Sequence, residues 1–226
     1  MSHLKKKNIL ITAGATRGYI DAVRYITNTS TGKLGMEIAL EAMRNGAVVT
    51  YVYGKDSLFP VLDSRISIKS SQLKLIEIET NNDLTKILQE RLRNKKYDAV
   101  IHAMAVADYV PIRTRSNKTP SVKKELVVKL AKTPKVINLI RDMWPKALLV
   151  GFKLEVNKTK LELIKTARSF LKKSKADLVI ANDQKNISRN CHTAYLVSDN
   201  GNKQDALKNK KEIAKAIIVY LREKLK

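Results

Sequence analysis

Short apolar runs take turns with stretches of helical periodicity along the whole chain, and this alternation limits the fold more than any other feature. KNILITA (7–13) and AVVTYVY (47–53) have the length and β-branched content of buried strands. Between them, Leu34, Ile38, Ala39 and Ala42 recur at helical spacing in a helix over 33–46, with Gly46 as its C-cap. The pattern repeats as a strand over 73–78, a helix over 81–95 capped by Asn81 or Asn82, and strands over 98–102 and 126–130. A helix over 133–142 carries Pro134 in its first turn. An apolar run at 147–152, a helix over 159–174, strands over 176–181 and 192–197, and an amphipathic helix over 207–225 complete the series. Strands separated by helices form βαβ units. The expectation is therefore α/β: a Rossmann-like, mainly parallel sheet flanked by helices. The 226 residues are expected to form one domain (1–226), with a flap or arm projecting at about 110–132.

Such sheets bind ligands at the carboxyl ends of their strands. The loops there span 14–32, 103–124, 152–157 and 181–190, and they are long and polar. Composition narrows what they would hold. The net charge is +23, from 44 basic and 21 acidic residues. Nucleic acid is the obvious suggestion. Against it, the lysines are scattered and aromatic residues make up only 5%, so stacking platforms are few. We expect no nucleic-acid partner, but a lysine-rich solvated surface, with room for a pocket that takes multiply charged anions. No run approaches the roughly 18 to 20 apolar residues of a membrane span. The N-terminal MSHLKKKNILITAG enters a short strand rather than a signal-peptide core, so we expect a cytoplasmic protein with no membrane partner. The lone Cys191 builds neither a disulfide framework nor a cysteine zinc site, and reads as a structural thiol.

The candidate motifs sit in the strand-end loops. GATRG (14–18) follows a strand as the TGxxxGxG turn of short-chain dehydrogenases does, but its glycine spacing differs and no helix begins at Gly18. The Tyr-x-x-x-Lys spacing those enzymes need on a helix is met at Tyr51 and Lys55, in and after a strand. STGKLG (30–35) lacks the earlier glycine and the following Ser or Thr of a P-loop. What remains is a helix start bracketed by Gly32 and Gly35, with Ser30 and Thr31 as expected caps, where free amides and Lys33 make an anion seat. Asp108 in AVADY would orient a metal, bind a ribose, or simply form a turn. Phe152 in LVGFK would stack a base or pack. IANDQ ends a strand with Asn182 and Asp183, again a site or a turn.

Taken in order, IDAVRYITNTSTGKLG, MAVADYVP, KTPKVI, VGFK and ADLVIAND resemble phosphopantothenoylcysteine synthetase (phosphopantothenate–cysteine ligase) in its stand-alone bacterial form, over nearly the whole chain. The resemblance implies a ligase of coenzyme A biosynthesis. It would join 4′-phosphopantothenate to L-cysteine at the expense of CTP or ATP, through an acyl nucleotidylate, with Mg²⁺. It also implies a homodimer whose arm helps to complete the neighbouring site.

By the same resemblance Asn28, Arg24 and Lys118 are catalytic. Asn28 turns over the acyl intermediate. Lys118, ten residues after Asp108, is the flap lysine that reaches the nucleotide phosphates, with Lys123 and Lys124 as rivals. Gly14, Thr16, Ser30, Gly32, His102, Ala103, Met104, Asp108, Phe152 and Lys173 would bind nucleotide, Lys172 being the rival of Lys173. Asp21, Arg24, Asn28, Lys33 and Ala105 would bind substrate, and Asp108 the metal. Gly35, Asn182 and Asp183 also match, Ala107 leaves room beside Asp108, and Phe170 stands where the family commonly has a lysine. Two other functions compete: a short-chain-type NAD(P)-dependent oxidoreductase, which needs a placed Tyr/Lys pair, and a non-catalytic nucleotide-binding relative. One sequence leaves CTP against ATP open.

Overall fold

β1 (Asn8–Ala13) is buried from Ile9 onward, so both of its faces are covered by other elements. A hairpin of β2 (Arg17–Tyr19) and β3 (Tyr25–Thr27) follows, then α1 (Lys33–Arg44), β4 (Val48–Gly54) and β5 (Leu73–Ile78). α2 (Asn81–Lys86) runs into a wider helical turn over Ile87–Leu92 and leads to β6 (Ala99–His102). β7 (Tyr109–Pro111) and β8 (Leu130–Lys132) pair with each other, ahead of α3 (Val136–Met143), β9 (Leu148–Glu155) and α4 (Lys160–Ser174). β10 (Leu178–Ile187), β11 (His192–Ser198), β12 (Gly201–Asn202) and α5 (Lys210–Lys224) complete the chain. This is a computed structural model, and it describes residues 4–62, 68–122, 124–188, 191–199, 201–202 and 206–225.

The main sheet has eight strands in the order β12-β11-β10-β9-β6-β1-β4-β5. The strands from β10 to β5 are parallel, while β11 and β12 run antiparallel at one edge. This is the expected Rossmann-like α/β sheet. Its six parallel strands follow the doubly wound order, with the first strand central and the chain winding outward to each side in turn. Side-chain alternation on β1 divides the core. Ile9, Ile11 and Ala13 pack with Ile38 and Ala42 of α1 and Ile213 and Ile217 of α5. Leu10 belongs to the opposite layer, with Leu84 of α2, Ile140 of α3 and Leu163 of α4. α1 stops at the expected glycine. Gly46 takes φ 89°, its amide donates to the Met43 carbonyl at 2.9 Å, and a side chain there would be strained.

Several boundaries differ from the sequence expectation, each for a local reason. The 14–32 loop contains the β2–β3 hairpin. The strand expected at 126–130 lies instead at Leu130–Lys132, where β7 supplies a partner, and Leu126 and Val127 are exposed. α3 begins at Val136 rather than 133, because Thr133 is held to β7's approach: its amide donates to the Asp108 carbonyl and its hydroxyl to Ala107's. Pro134 thus precedes the helix. Thr80, not Asn81 or Asn82, caps α2, exchanging hydrogen bonds with Asp83. α5 starts at Lys210, since Leu207 pairs with Ala194 of β11. β9 and β10 outlast their apolar runs, because ladder pairing continues through Asn182–Leu154 and Asp183–Glu155. Phe152, Asn182 and Asp183 therefore lie within strands rather than at their ends.

Candidate functional site

The strand order reverses between β1 and β6: the chain winds outward from β1 to β4 and β5, then returns to the far side of β1 with β6. A crevice forms at such a point, because the loops leaving the two strands diverge. Here backbone bonds stitch the two loops together below the crevice. Ala103 N donates to the Thr12 carbonyl at 2.9 Å and Ala105 N to the Gly14 carbonyl at 2.8 Å. The buried Thr16 hydroxyl accepts from Ala107 N at 3.0 Å. Gly14 and Thr16 thus support the site from beneath and do not line it.

Above them lies a cleft of about 760 Å³. It brings together Asn28, Ser30, Gly32, Lys33, Gly35, His102, Ala103, Met104, Ala105, Asp108, Phe152 and Asn182 from the sequence expectation. α1 starts at its floor. Its N-cap is Gly32 at φ 77°, a left-handed geometry that a side chain would strain, and no side chain caps it. The expected caps Ser30 and Thr31 do not serve: Thr31 Oγ1 lies 3.5 Å from Lys33 N, at the limit of a hydrogen bond. The first turn carries no acidic residue, so its amides face the cleft uncompensated. Asn28 Nδ2 donates to the Ala105 carbonyl at 3.2 Å, which ties the first loop across to the second. His102 Nδ1 lies 2.7 Å from the Thr12 hydroxyl, and burial pushes its pKa down to about 4, so the ring is neutral at pH 7. Phe152 and Phe170 supply an apolar wall.

The charges are strongly unbalanced. Lys33, Lys135, Lys153 and Lys210 line the cleft, and Asp108 is its one lining carboxylate among the described residues. Lys135 Nζ sits 2.6 Å from Asp108 Oδ1, and Lys153 pairs with Glu155 at 3.1 Å. No group of three or more His, Cys, Asp or Glu placed to hold a metal ion occurs among the described residues, so a divalent ion would find one protein carboxylate here, not a cage.

Other expected site residues stand elsewhere. Asp21 is fully buried and accepts from Val23 N, Thr119 N, Arg24 N and Arg24 Nη1 at 2.8–3.0 Å. Those bonds, from Val23 and Thr119 above all, hold its carboxyl well below the usual range. Arg24 Nη1 also donates to the Thr119 carbonyl at 3.1 Å. The pair therefore fastens the segment after β7 to the β2–β3 hairpin and does not line the cleft. Lys118 and Lys124 are exposed on that segment, and Lys123 lies outside the described residues. Lys172 and Lys173 are exposed on α4, whose contribution to the cleft is Phe170. Asp183 is buried and accepts from Lys158 N and Lys185 N, which shapes the loop after β9. The Tyr/Lys pair of an oxidoreductase is not assembled: the buried Tyr51 hydroxyl donates to the Leu58 carbonyl at 3.1 Å and Lys55 pairs with Glu79, while Tyr220, four residues before Lys224 on α5, donates to the Asp177 carbonyl at 2.9 Å and does not line the cleft.

Four titratable lining residues escaped the sequence reading of the site: Lys135, Lys153, His192 and Lys210. The first two lie inside recognised motifs, KTPK and VGFK, and that signal would have found them. His192 and Lys210 belong to segments that read as an ordinary strand and an ordinary surface helix. Only the placement of β11 beside β10, and of α5 against α1, brings them in.

Residues 4–225 match the family model described as the DNA/pantothenate metabolism flavoprotein C-terminal domain. The coenzyme A biosynthesis bifunctional protein CoaBC of Thermococcus kodakarensis is 36% identical over 216 residues, covering 95% of this chain and 50% of that protein. The chain spans about half the length of the curated relatives it matches. Among solved structures, the DNA/pantothenate metabolism flavoprotein from Streptococcus pneumoniae superposes with a TM-score of 0.84 at 34% identity, covering 96% of this chain and 99% of that one. The C-terminal domain of a CoaBC protein gives 0.76 at 30% identity, covering 100% and 98%. Among the described residues no helix is long and apolar enough to cross a membrane.

Proposed function

Because the chain belongs to the family of DNA/pantothenate metabolism flavoprotein C-terminal domains, we propose that it is the ligase that joins 4′-phosphopantothenate to L-cysteine, a step of coenzyme A biosynthesis. It would act in the cytoplasm, as one domain, at the expense of CTP or ATP. The observation that carries the reading is a basic cleft at the sheet's reversal point, which holds the open N-terminus of α1, Asn28 and a single carboxylate. The solved C-terminal domain of a CoaBC protein, which this chain matches end to end, supports the assignment to that half of the bifunctional relatives.

The chemistry asks for such a cleft. A pantothenate carboxylate oxygen attacks the α-phosphorus, and the bond to pyrophosphate breaks. The cysteine amine then attacks the acyl carbon, its proton is lost, and the nucleoside monophosphate leaves. Two anions meet in the first step, so fixed positive charge has to offset their repulsion. The α1 amides and Lys33 would do this, the loops would set the approach, and Phe152 with Phe170 would offer a wall to the base. Asn28, already tied to the Ala105 carbonyl, would hold the activated acyl group. Mg²⁺ commonly keeps several waters and binds through one or two carboxylates plus substrate phosphates. Asp108 fits that donor set as the residue that would hold the ion, and the bound ion would neutralise phosphate charge.

We also propose a homodimer. Val23, Tyr109, Ile112, Val122 and Val127 are exposed on the hairpins and the projecting segment. A second copy would cover them and bring Lys118 towards a neighbouring site.

The test is pyrophosphate release by the purified chain with Mg²⁺ and phosphopantothenate, CTP against ATP, each with and without cysteine. Phosphopantothenate-dependent release, with an amide product that needs cysteine, is expected. Absence of release with both nucleotides would return the cleft to a non-catalytic nucleotide-binding relative.

A further inference from the structure

One end of the cleft is built by the first residues of two helices. Lys33 opens α1 and Lys210 opens α5, and the helices pack together through Ile38, Ala42, Ile213 and Ile217. Both lysines line the cleft. A cation is disfavoured at a helix N-terminus, where the backbone already presents partial positive charge. Here two cations occupy two such ends and feel each other: after burial, the charge of Lys33 is the next influence that lowers the Lys210 pKa. Among the described residues neither forms an ion pair. Glu37 acts on Lys210 only through longer-range attraction.

The two helix ends also differ. α5 is capped by Asn209, which accepts from Glu212 N at 3.0 Å, whereas α1 has no side-chain cap and no acid in its first turn. Beside them His192, only 6% exposed, lines the same cleft. Its Nε2 lies 3.2 Å from Asn182 Nδ2, and among the described residues its Nδ1 has no hydrogen-bond partner. Unpaired like charges, an uncapped helix and an orphaned buried ring nitrogen each break a local rule, and all three meet at one place.

We infer that Lys210, with Lys33 and the open N-terminus of α1, seats a phosphate group of a substrate, and that His192 and Asn182 form the neutral polar wall of that seat. The inference rests on the ligase reading and extends it, since it gives α5 a part in substrate binding. An ammonium group and free amides suit any phosphate ester. Two are in question: the nucleotide polyphosphate and the phosphomonoester of phosphopantothenate.

The experiment compares the full chain with Lys210→Gln and Lys210→Arg. Calorimetric titrations with pyrophosphate, with CTP and ATP, and with phosphopantothenate are run separately, at low and moderate salt. KM for each substrate is then taken from pyrophosphate release. Lys210→Gln should weaken one class of phosphate ligand about tenfold, the worth of one charge-assisted contact. Lys210→Arg should recover most of it, and KM for cysteine should not move. Loss confined to pyrophosphate and nucleotide assigns the polyphosphate, and loss confined to phosphopantothenate assigns the phosphomonoester. Unchanged affinity for all of them overturns the inference, as does a wild-type chain that binds none. Binding needs no turnover, so an inactive wild type would sink the ligase reading while the titrations still judged the seat. Lys210 makes no ion pair among the described residues, so Lys210→Gln should melt no lower than wild type. Lys33→Gln, which removes the other charge, should weaken the same ligand.

Discussion

The position of α1 depends on a missing side chain. A Cβ built on Gly35 would lie 2.4 Å from the Cβ of Ala13, and 3.3 Å from the Tyr51 hydroxyl. Ala13 ends the central strand and is fully buried, so its methyl cannot swing aside. Gly35→Ala therefore sets two effects against each other. The helix gains about 1 kcal/mol from alanine's better propensity. The packed interface loses about 1–3 kcal/mol to overpacking, and the upper end applies because a gap more than 1 Å short of contact distance has to be opened by moving the helix. The net is a loss of about 2 kcal/mol, or roughly 4–8 °C in melting temperature for a chain of this size. The displacement falls on the first turn, so pyrophosphate release should drop as well. Melting curves of Gly35→Ala, Ala13→Gly and the double variant form a cycle. In the double variant the 2.4 Å contact is gone, leaving the Tyr51 hydroxyl at 3.3 Å and the Cα of residue 13 at 3.6 Å, so most of the overpacking should be recovered as coupling. A Gly35→Ala protein that melts at or above wild type, or a cycle without coupling, would refute the close approach of α1 to β1.

Asn28→Asp should bind nucleotide and phosphopantothenate nearly as wild type does but accumulate acyl nucleotidylate; normal steady-state turnover would remove Asn28 from the mechanism. Lys118→Gln should slow pyrophosphate release without cysteine by about tenfold or more, while Lys124→Gln should not, and the reverse result would move the flap assignment. Light scattering on a sizing column should give a dimer, and a fully active monomer would sink that proposal. The folded pKa values of His102 and His192 are both depressed to about 4 by burial, against an ordinary 6.5. Their stabilisation is therefore complete above about pH 6.5 and is lost as the pH falls towards 4. Melting temperature should decline across that window, and less steeply in His192→Gln.

The fold was legible because its signals are local and repeated. The apolar periods of β1, α1, β4, α4 and β10 name both the element and its buried face, and Gly46 marks a helix end by backbone geometry alone. Boundaries failed where a distant partner decides them. β8 forms at Leu130 rather than Leu126 because β7 lies there, and α3 starts late because Thr133 is claimed by Ala107 and Asp108. The site divides in the same way. Asn28, Gly32, Lys33, Asp108 and Phe152 sit in motifs and come together in the cleft. Asp21 and Arg24 sit in a motif too, yet they brace a hairpin, since a motif does not say which side of a loop a side chain takes. His192 and Lys210 were out of reach, because no pattern within one segment reports that α5 lies on α1.

That last packing has a consequence in time. On a ribosome β1 and α1 emerge ahead of α5, and Ile38 and Ala42 are made long before Ile213 and Ile217. The sheet grows to one side of β1 and then to the other while α1 waits without its neighbour helix. A growing chain thus keeps an oily stripe uncovered until α5 has been translated, and the cleft gains its last wall only then. A chain that stops before α5 would therefore lack both the cover for that stripe and a finished binding cleft.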